Sequence, residues 1–191
     1  MGKVAFYLYD SMVEFETSLL SHFMKSFSDK EVIYFSKDNS EVKTSSGIFL
    51  KSEKSIKEVL ELEDIDALIF PGGLERKKYP ELTELIEKVY GNKGLIAAIC
   101  AGPEFLTETK ILNNHKYTTT MKKEEYDKKE MEDPFNRENF SLDLLVRDEN
   151  VITAVGRSFV DFTFEVVDYF KMFKTEEDKN TFKKLYKGEK I

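Results

Sequence analysis

The chain has 191 residues, 41% of them apolar, with 16 Phe, 9 Tyr and no Trp, a composition that suits a packed interior and excludes disorder throughout. Its 36 acidic and 29 basic residues give a net charge of −7, spread along the chain without a basic stripe, so neither DNA nor RNA is an expected partner. The length suits a single domain over residues 1–191 with one site, ending in a charged extension at 175–191.

Val4 to Tyr9 is an apolar run of strand length that stops at Asp10, too short for a signal peptide or a membrane span. Phe6 stands where N-myristoylation requires Ser or Thr, so the expected protein is cytoplasmic and has no membrane partner. A single cysteine cannot form an internal disulfide, and Cys100, His22 and His115 lack metal-ligand spacing; neither zinc nor another metal is expected.

Phe15, Leu19, Leu20, Phe23 and Phe27 recur at three- and four-residue steps and predict a helix. Glu31 to Phe35 reads as a strand, and Val42 to Lys51 as a hairpin turning at Ser45-Ser46-Gly47. Ser55 caps a short helix to Leu62. Asp66 to Phe70 is a strand ended by Pro71-Gly72-Gly73, and Glu81 to Tyr90 has helical spacing. Leu95 to Ile99 is continuously apolar, as in a strand buried on both faces of a parallel sheet. A helix is expected from Pro103, strands over Lys116 to Thr120 and Val151 to Val155, and a closing helix over Val160 to Phe173. The charged stretches Lys122 to Glu138 and Thr175 to Ile191 read as a solvated loop and a solvated terminal helix, with a lid as the other reading of the first. Strands alternating with helices predict an α/β fold, a three-layer α/β/α sandwich around a mostly parallel sheet.

Ligands of such a sheet bind beyond the carboxyl ends of its strands. Glu16, Gly72-Gly73 and Cys100 all fall at that edge. A cysteine on a tight strand-to-helix turn presents its sulfur above the sheet, and the following helix N-terminus would lower its pKa. The backbone N–H groups of Gly72, Gly73 and Ala101 would then suit an oxyanion or an oxidised sulfur. Taken singly, a lone cysteine also reads as a small core residue and Pro-Gly-Gly as a plain turn.

Asp66-Ala67-Leu68-Ile69-Phe70-Pro71-Gly72-Gly73 and Ala97-Ala98-Ile99-Cys100-Ala101-Gly102-Pro103 resemble the two signature segments of the ThiJ/PfpI superfamily, which has the class I glutamine amidotransferase-like fold. The resemblance runs from Lys3 to about Phe173. It implies a flavodoxin-like sandwich with a cysteine nucleophile elbow, a homodimer, and no cofactor. Glu14-Phe15-Glu16-Thr17 resembles the family's first-helix segment, which implies that the Glu16 carboxyl is protonated and hydrogen-bonded to the Cys100 sulfur. A charged carboxylate beside a thiolate would raise the pKa of both, so Glu16 is expected to titrate high.

The chain departs from that pattern. Ala101 stands where the family's proteases carry a histidine, and Thr120 ends Lys116-Tyr117-Thr118-Thr119-Thr120, where another branch has one; a threonine hydroxyl cannot act as a general base. His115 begins that segment, roughly 17 Å from the catalytic edge if it is extended, and reads as a turn residue. His22 points away from the helix face that holds Glu16. Gly156-Arg157-Ser158 follows a strand near the pocket; Arg157 suits an anionic substrate group, and Ser158 and Thr120 are further pocket candidates. The resemblance implies an enzyme that uses Cys100 and Glu16 on small carbonyl electrophiles, by glyoxalase-like hydration or deglycation. A non-enzymatic, stress-responsive thiol is the alternative, and amidotransferase or peptidase activity is the reading least supported by the residues.

Overall fold

The computed structural model describes residues 2–190. The chain runs through β1 (Lys3–Tyr7), α1 (Phe15–Phe27), β2 (Glu31–Ser36), the hairpin β3 (Glu41–Lys43) and β4 (Phe49–Lys51), β5 (Lys54–Ser55), α2 (Ile56–Leu60), β6 (Ile65–Phe70), α3 (Pro80–Gly91) and β7 (Leu95–Ile99). A 3-10 turn (Gly102–Leu106), α4 (Ile111–Asn114), α5 (Lys123–Asp127), β8 (Leu145–Asp148), β9 (Val151–Ala154), α6 (Phe159–Tyr169) and α7 (Glu176–Tyr186) follow. The sheet order is β5-β2-β1-β6-β7-β9-β8, parallel except where β8 meets β9.

Both faces of the central strands are apolar, because each must bury a helical layer. Val4 and Phe6 of β1, Ala67 and Ile69 of β6, and Ala97 and Ile99 of β7 pack with Leu20, Phe23 and Phe164 beneath α1 and α6. The alternate residues Tyr7, Phe70 and Ala98 pack on the other side with Val59 of α2 and Leu82 and Ile86 of α3. Sequence neighbours β1 and β2 pair on one side of β1 while β6 pairs on the other, so the strand order reverses at β1 and opens a crevice at the carboxyl ends. Among the described residues no helix is long and apolar enough to cross a membrane, and no group of three or more His, Cys, Asp or Glu could hold a metal ion.

Several sequence expectations need correction. Lys116 to Thr120 is not a strand: β9 pairs directly with β7, and the segment keeps one isolated bridge, Tyr117 to Phe140, with the Thr118 N–H donating to Thr153 Oγ1. β8 is a strand that the sequence reading lacks. The helix from Pro103 is one 3-10 turn of five residues. The stretch 122–138 is anchored by buried Tyr126 and Phe135.

The 175–191 stretch is more than solvated charge: α7 puts Phe182 and Tyr186 against Phe164 and buries Lys179 beside Glu165 (3.0 Å) and Asp168 (3.3 Å). At the other end of the chain, β1 stops at Tyr7 rather than Tyr9. The capped α2 matches expectation, with Ser55 and Glu58 forming a capping box.

Candidate active site

The carboxyl end of β7 runs straight into Cys100, whose φ of 63° lies in the left-handed region that side chains with a Cβ avoid. Such a residue costs roughly 1–3 kcal/mol and persists only where its surroundings hold it. Here the Cys100 N–H donates to the Ala154 carbonyl (2.8 Å), while the Cys100 carbonyl accepts from the Thr120 N–H (2.9 Å) and Thr119 Oγ1 (2.7 Å). The sulfur is thereby aimed out of the sheet edge, the geometry of a nucleophile elbow.

Glu16, in the first turn of α1, is only 2% exposed. Its Oε2 accepts the Gly72 N–H at 2.7 Å, and the carboxyl and the Cys100 thiol are hydrogen-bonded. The strands β1, β6, β7 and β9 thus bring Glu16 together with residues 56 and 84 positions further along the sequence. Two glycines make the packing possible. A Cβ on Gly72 would lie 2.6 Å from Cys100 Cβ and 2.8 Å from Glu16 Oε2, and one on Gly156 would lie 2.7 Å from Glu16 Oε1 and 3.0 Å from Cys100 Sγ.

Burial pushes the Glu16 carboxyl above its usual range, opposed by its bonds to Cys100 and Gly72. Burial first, and then the neighbouring Glu16, push the Cys100 thiol up to about 11, with the Thr120 hydroxyl and the Ala101 N–H pulling the other way. The expectation that a helix N-terminus lowers this pKa is therefore corrected. A single 3-10 turn supplies too little dipole to offset desolvation, and Cys100 rests as a thiol. The Gly72 N–H also departs from the oxyanion role expected of it, because Glu16 occupies it. Ala101 keeps its N–H directed at the sulfur. Gly73 fits because its missing Cβ avoids Ser11 O (2.6 Å) and Met12 Cα (2.7 Å).

Cys100 and Glu16 open into a cavity of about 820 Å³ lined also by Val13, Phe15, Thr120, Lys122, Phe140, Leu142, Leu144, Val155, Gly156, Arg157 and Phe159. Thr120 and Arg157 are where the sequence reading puts them. Ser158 is not: it is buried at the start of α6 and does not line the cavity. Neither histidine reaches it. His115 is buried with Nε2 2.8 Å from Tyr90 Oη, and His22 is exposed on α1 against Phe23 and Phe27.

Sequence reasoning missed Tyr9, whose buried hydroxyl donates to the Pro71 carbonyl (3.1 Å), and Thr119, which holds the elbow carbonyl. It also missed a half-buried clamp: Glu104 accepts from Arg76 (Nε and Nη2, both 3.0 Å) and from Tyr126 Oη (2.5 Å). The clamp ties the Gly73 loop, the elbow turn and the 122–138 segment together. The available signal was Tyr126 and Phe135, two aromatics inside a run of charges.

A parallel sheet between helical layers, with a strained cysteine at its carboxyl edge beside a buried carboxyl, defines an α/β/α domain of the cysteine-elbow class. Residues 2–169 match the DJ-1/PfpI family, and the chain belongs to it. No curated protein matches. Among solved structures the chain is similar to a DJ-1 superfamily protein from Agrobacterium tumefaciens (24% identity, TM-score 0.81, covering 98% of this chain and 99% of the other). A ThiJ/PfpI family protein from Bacillus anthracis (24%, 0.79, 97% and 90%) and an oxidised Toxoplasma gondii DJ-1 (20%, 0.77, all of both chains) are similar as well.

Proposed function

We propose that the protein is a cofactor-independent cysteine enzyme acting on small carbonyl electrophiles, converting a 2-oxoaldehyde to a 2-hydroxy acid or reversing the adducts such aldehydes form. The observation that carries this reading is the elbow thiol hydrogen-bonded to the buried Glu16 carboxyl at the floor of an open cavity. A neutral thiol beside a carboxyl whose pKa is raised by burial suits addition to a carbonyl, in those molecules whose Glu16 carries its proton. Sγ bonds to the aldehyde carbon, the π pair moves to oxygen, and Glu16 delivers one proton to that oxygen while accepting the thiol's. The hydrogen on that carbon then passes as a proton to the adjacent ketone carbon while the proton of the adduct's hydroxyl moves to the ketone oxygen, leaving a thioester and a new hydroxyl. Water cleaves the C–S bond and restores the thiol, so the net change is the addition of one water.

The cavity lining holds no histidine, and a general base is typically worth about 10² to 10⁴ in rate, so slow turnover is part of this reading. Amidotransferase or peptidase chemistry, which needs such a base, is disfavoured. A second copy is the expected partner, in a symmetric dimer. The test is lactate formation from methylglyoxal followed by NMR. Turnover disappears in Cys100→Ser and falls at least tenfold in Glu16→Gln; equal rates in the three proteins overturn the reading.

A redox role is the second reading, supported by the Ala101 N–H and Thr120 hydroxyl aimed at the sulfur and by the relative described as oxidised. It predicts a stable gain of two oxygens on Cys100 under mild peroxide, with no methylglyoxal turnover.

A further inference from the structure

The cavity above Cys100 is built for more than a three-carbon aldehyde. At about 820 Å³ it lies in the range that encloses drug-sized ligands. Phe15, Leu142 and Leu144 on its wall are 51%, 84% and 48% exposed, and Phe140 lines it with them. Apolar side chains left this open at a concave site mark a binding surface for apolar matter.

The charge of the cavity is inverted relative to the chain. The whole protein carries −7, yet the lining contributes two cations, Lys122 and Arg157, and a single acid, Glu16, which lies at the floor against the Gly72 N–H. Among the described residues neither Lys122 nor Arg157 makes a salt bridge, whereas Arg76, Arg137, Arg147 and Lys179 are all paired. An outer groove shares Lys122, Phe140 and Leu142 with the cavity; its other cations are largely matched, Lys128 by Glu125 (3.4 Å) and Arg137 by Asp133 (2.8 Å), so the unpaired positive charge at the site is that of Lys122 and Arg157. Cations at the rim of a low-dielectric cleft concentrate anions there, and a guanidinium fork matches a carboxylate.

We infer that the substrate class of this site is carbonyl compounds bearing a carboxylate and an apolar body, with the carboxylate held by Lys122 and Arg157 and the body against Phe15, Phe140, Leu142 and Leu144. The inference rests on the reading of Cys100 as the residue that captures the carbonyl. Phenylpyruvate is a probe of this class; its methyl ester has the same body without the charge, and methylglyoxal lacks both.

The experiment measures protection of wild-type Cys100 from iodoacetamide by each compound, read by intact mass at low salt. Phenylpyruvate is expected to protect at concentrations at least tenfold below its methyl ester and below methylglyoxal. The double variant K122Q/R157Q, with its fold checked by melting temperature, is expected to lose that preference. Equal protection by acid and ester, protection by neither, or an undiminished preference in the double variant overturns the inference. Methylglyoxal turnover is scored separately: turnover without anion preference removes only the substrate class, and anion-dependent protection without turnover of any carbonyl compound removes only the enzyme reading.

Discussion

The thiol of Cys100 is held about two pH units above its ordinary value of 9.0, at about 11, first by desolvation and then by the charge and hydrogen bond of Glu16. Alkylation needs the thiolate, so at neutral pH the native protein should react with iodoacetamide roughly 100-fold more slowly than a cysteine with the ordinary value. The rate should climb about tenfold per pH unit from pH 7 and level off only near 11. Glu16→Gln removes the charge but keeps the burial, so its midpoint should fall below wild type and stay above 9. The assay is the pseudo-first-order labelling rate between pH 6 and 11, read by intact mass. A wild-type plateau below pH 9, or identical midpoints in the two proteins, would refute the assignment of the shift to burial and Glu16. The same shift enters stability: a thiol pKa raised by folding favours the native state below pH 9, and that contribution fades as pH rises toward 11. Wild type should therefore lose more stability than Cys100→Ser across that window.

Glu16→Gln should be at least as stable as wild type at pH 7. The raised Glu16 pKa means that stability present below pH 4.5 is lost as the carboxyl ionises, and the amide keeps an acceptor for the Gly72 N–H without that cost. A drop in urea midpoint would contradict this. Gly72→Ala places a Cβ 2.6 Å from Cys100 Cβ and should cost about 1–3 kcal/mol, measured by urea unfolding; stability within error of wild type would show that the elbow has room. Tyr126→Phe removes one donor to Glu104 and should cost about 1 kcal/mol, with faster hydrogen exchange over 122–138; unchanged exchange would show that Arg76 alone holds the clamp.

The fold was legible because its strands state their environment. Leu95 to Ile99 is apolar at every position since both faces are covered, and Asp66 to Phe70 and Val4 to Tyr7 are nearly so. The pairing of Cys100 with Glu16 was legible only through a resemblance, because nothing local to either residue records that the other lies beside it. The strand expected over Lys116 to Thr120 failed for a related reason: Tyr117-Thr118-Thr119 has strand propensity, but β9 already takes the edge of β7, and the segment spends its hydrogen bonds on Thr153 and Cys100 instead. The pKa of Cys100 was misjudged because a Pro after a turn announces a helix start without giving its length, and a five-residue 3-10 turn cannot outweigh burial. The Arg76–Glu104–Tyr126 clamp left almost no trace, since polar residues scattered between positions 76 and 126 look solvated until the fold stacks them.

Cys100 is the only cysteine of the chain, which permits one decisive measurement. Graded iodoacetamide labelling at alkaline pH, followed by intact mass and by methylglyoxal turnover on the same samples, relates occupancy of the thiol to activity. Turnover should fall in a straight line with Cys100 occupancy and reach zero at one label per chain. Full turnover in a fully labelled protein would contradict a role for this thiol in the chemistry.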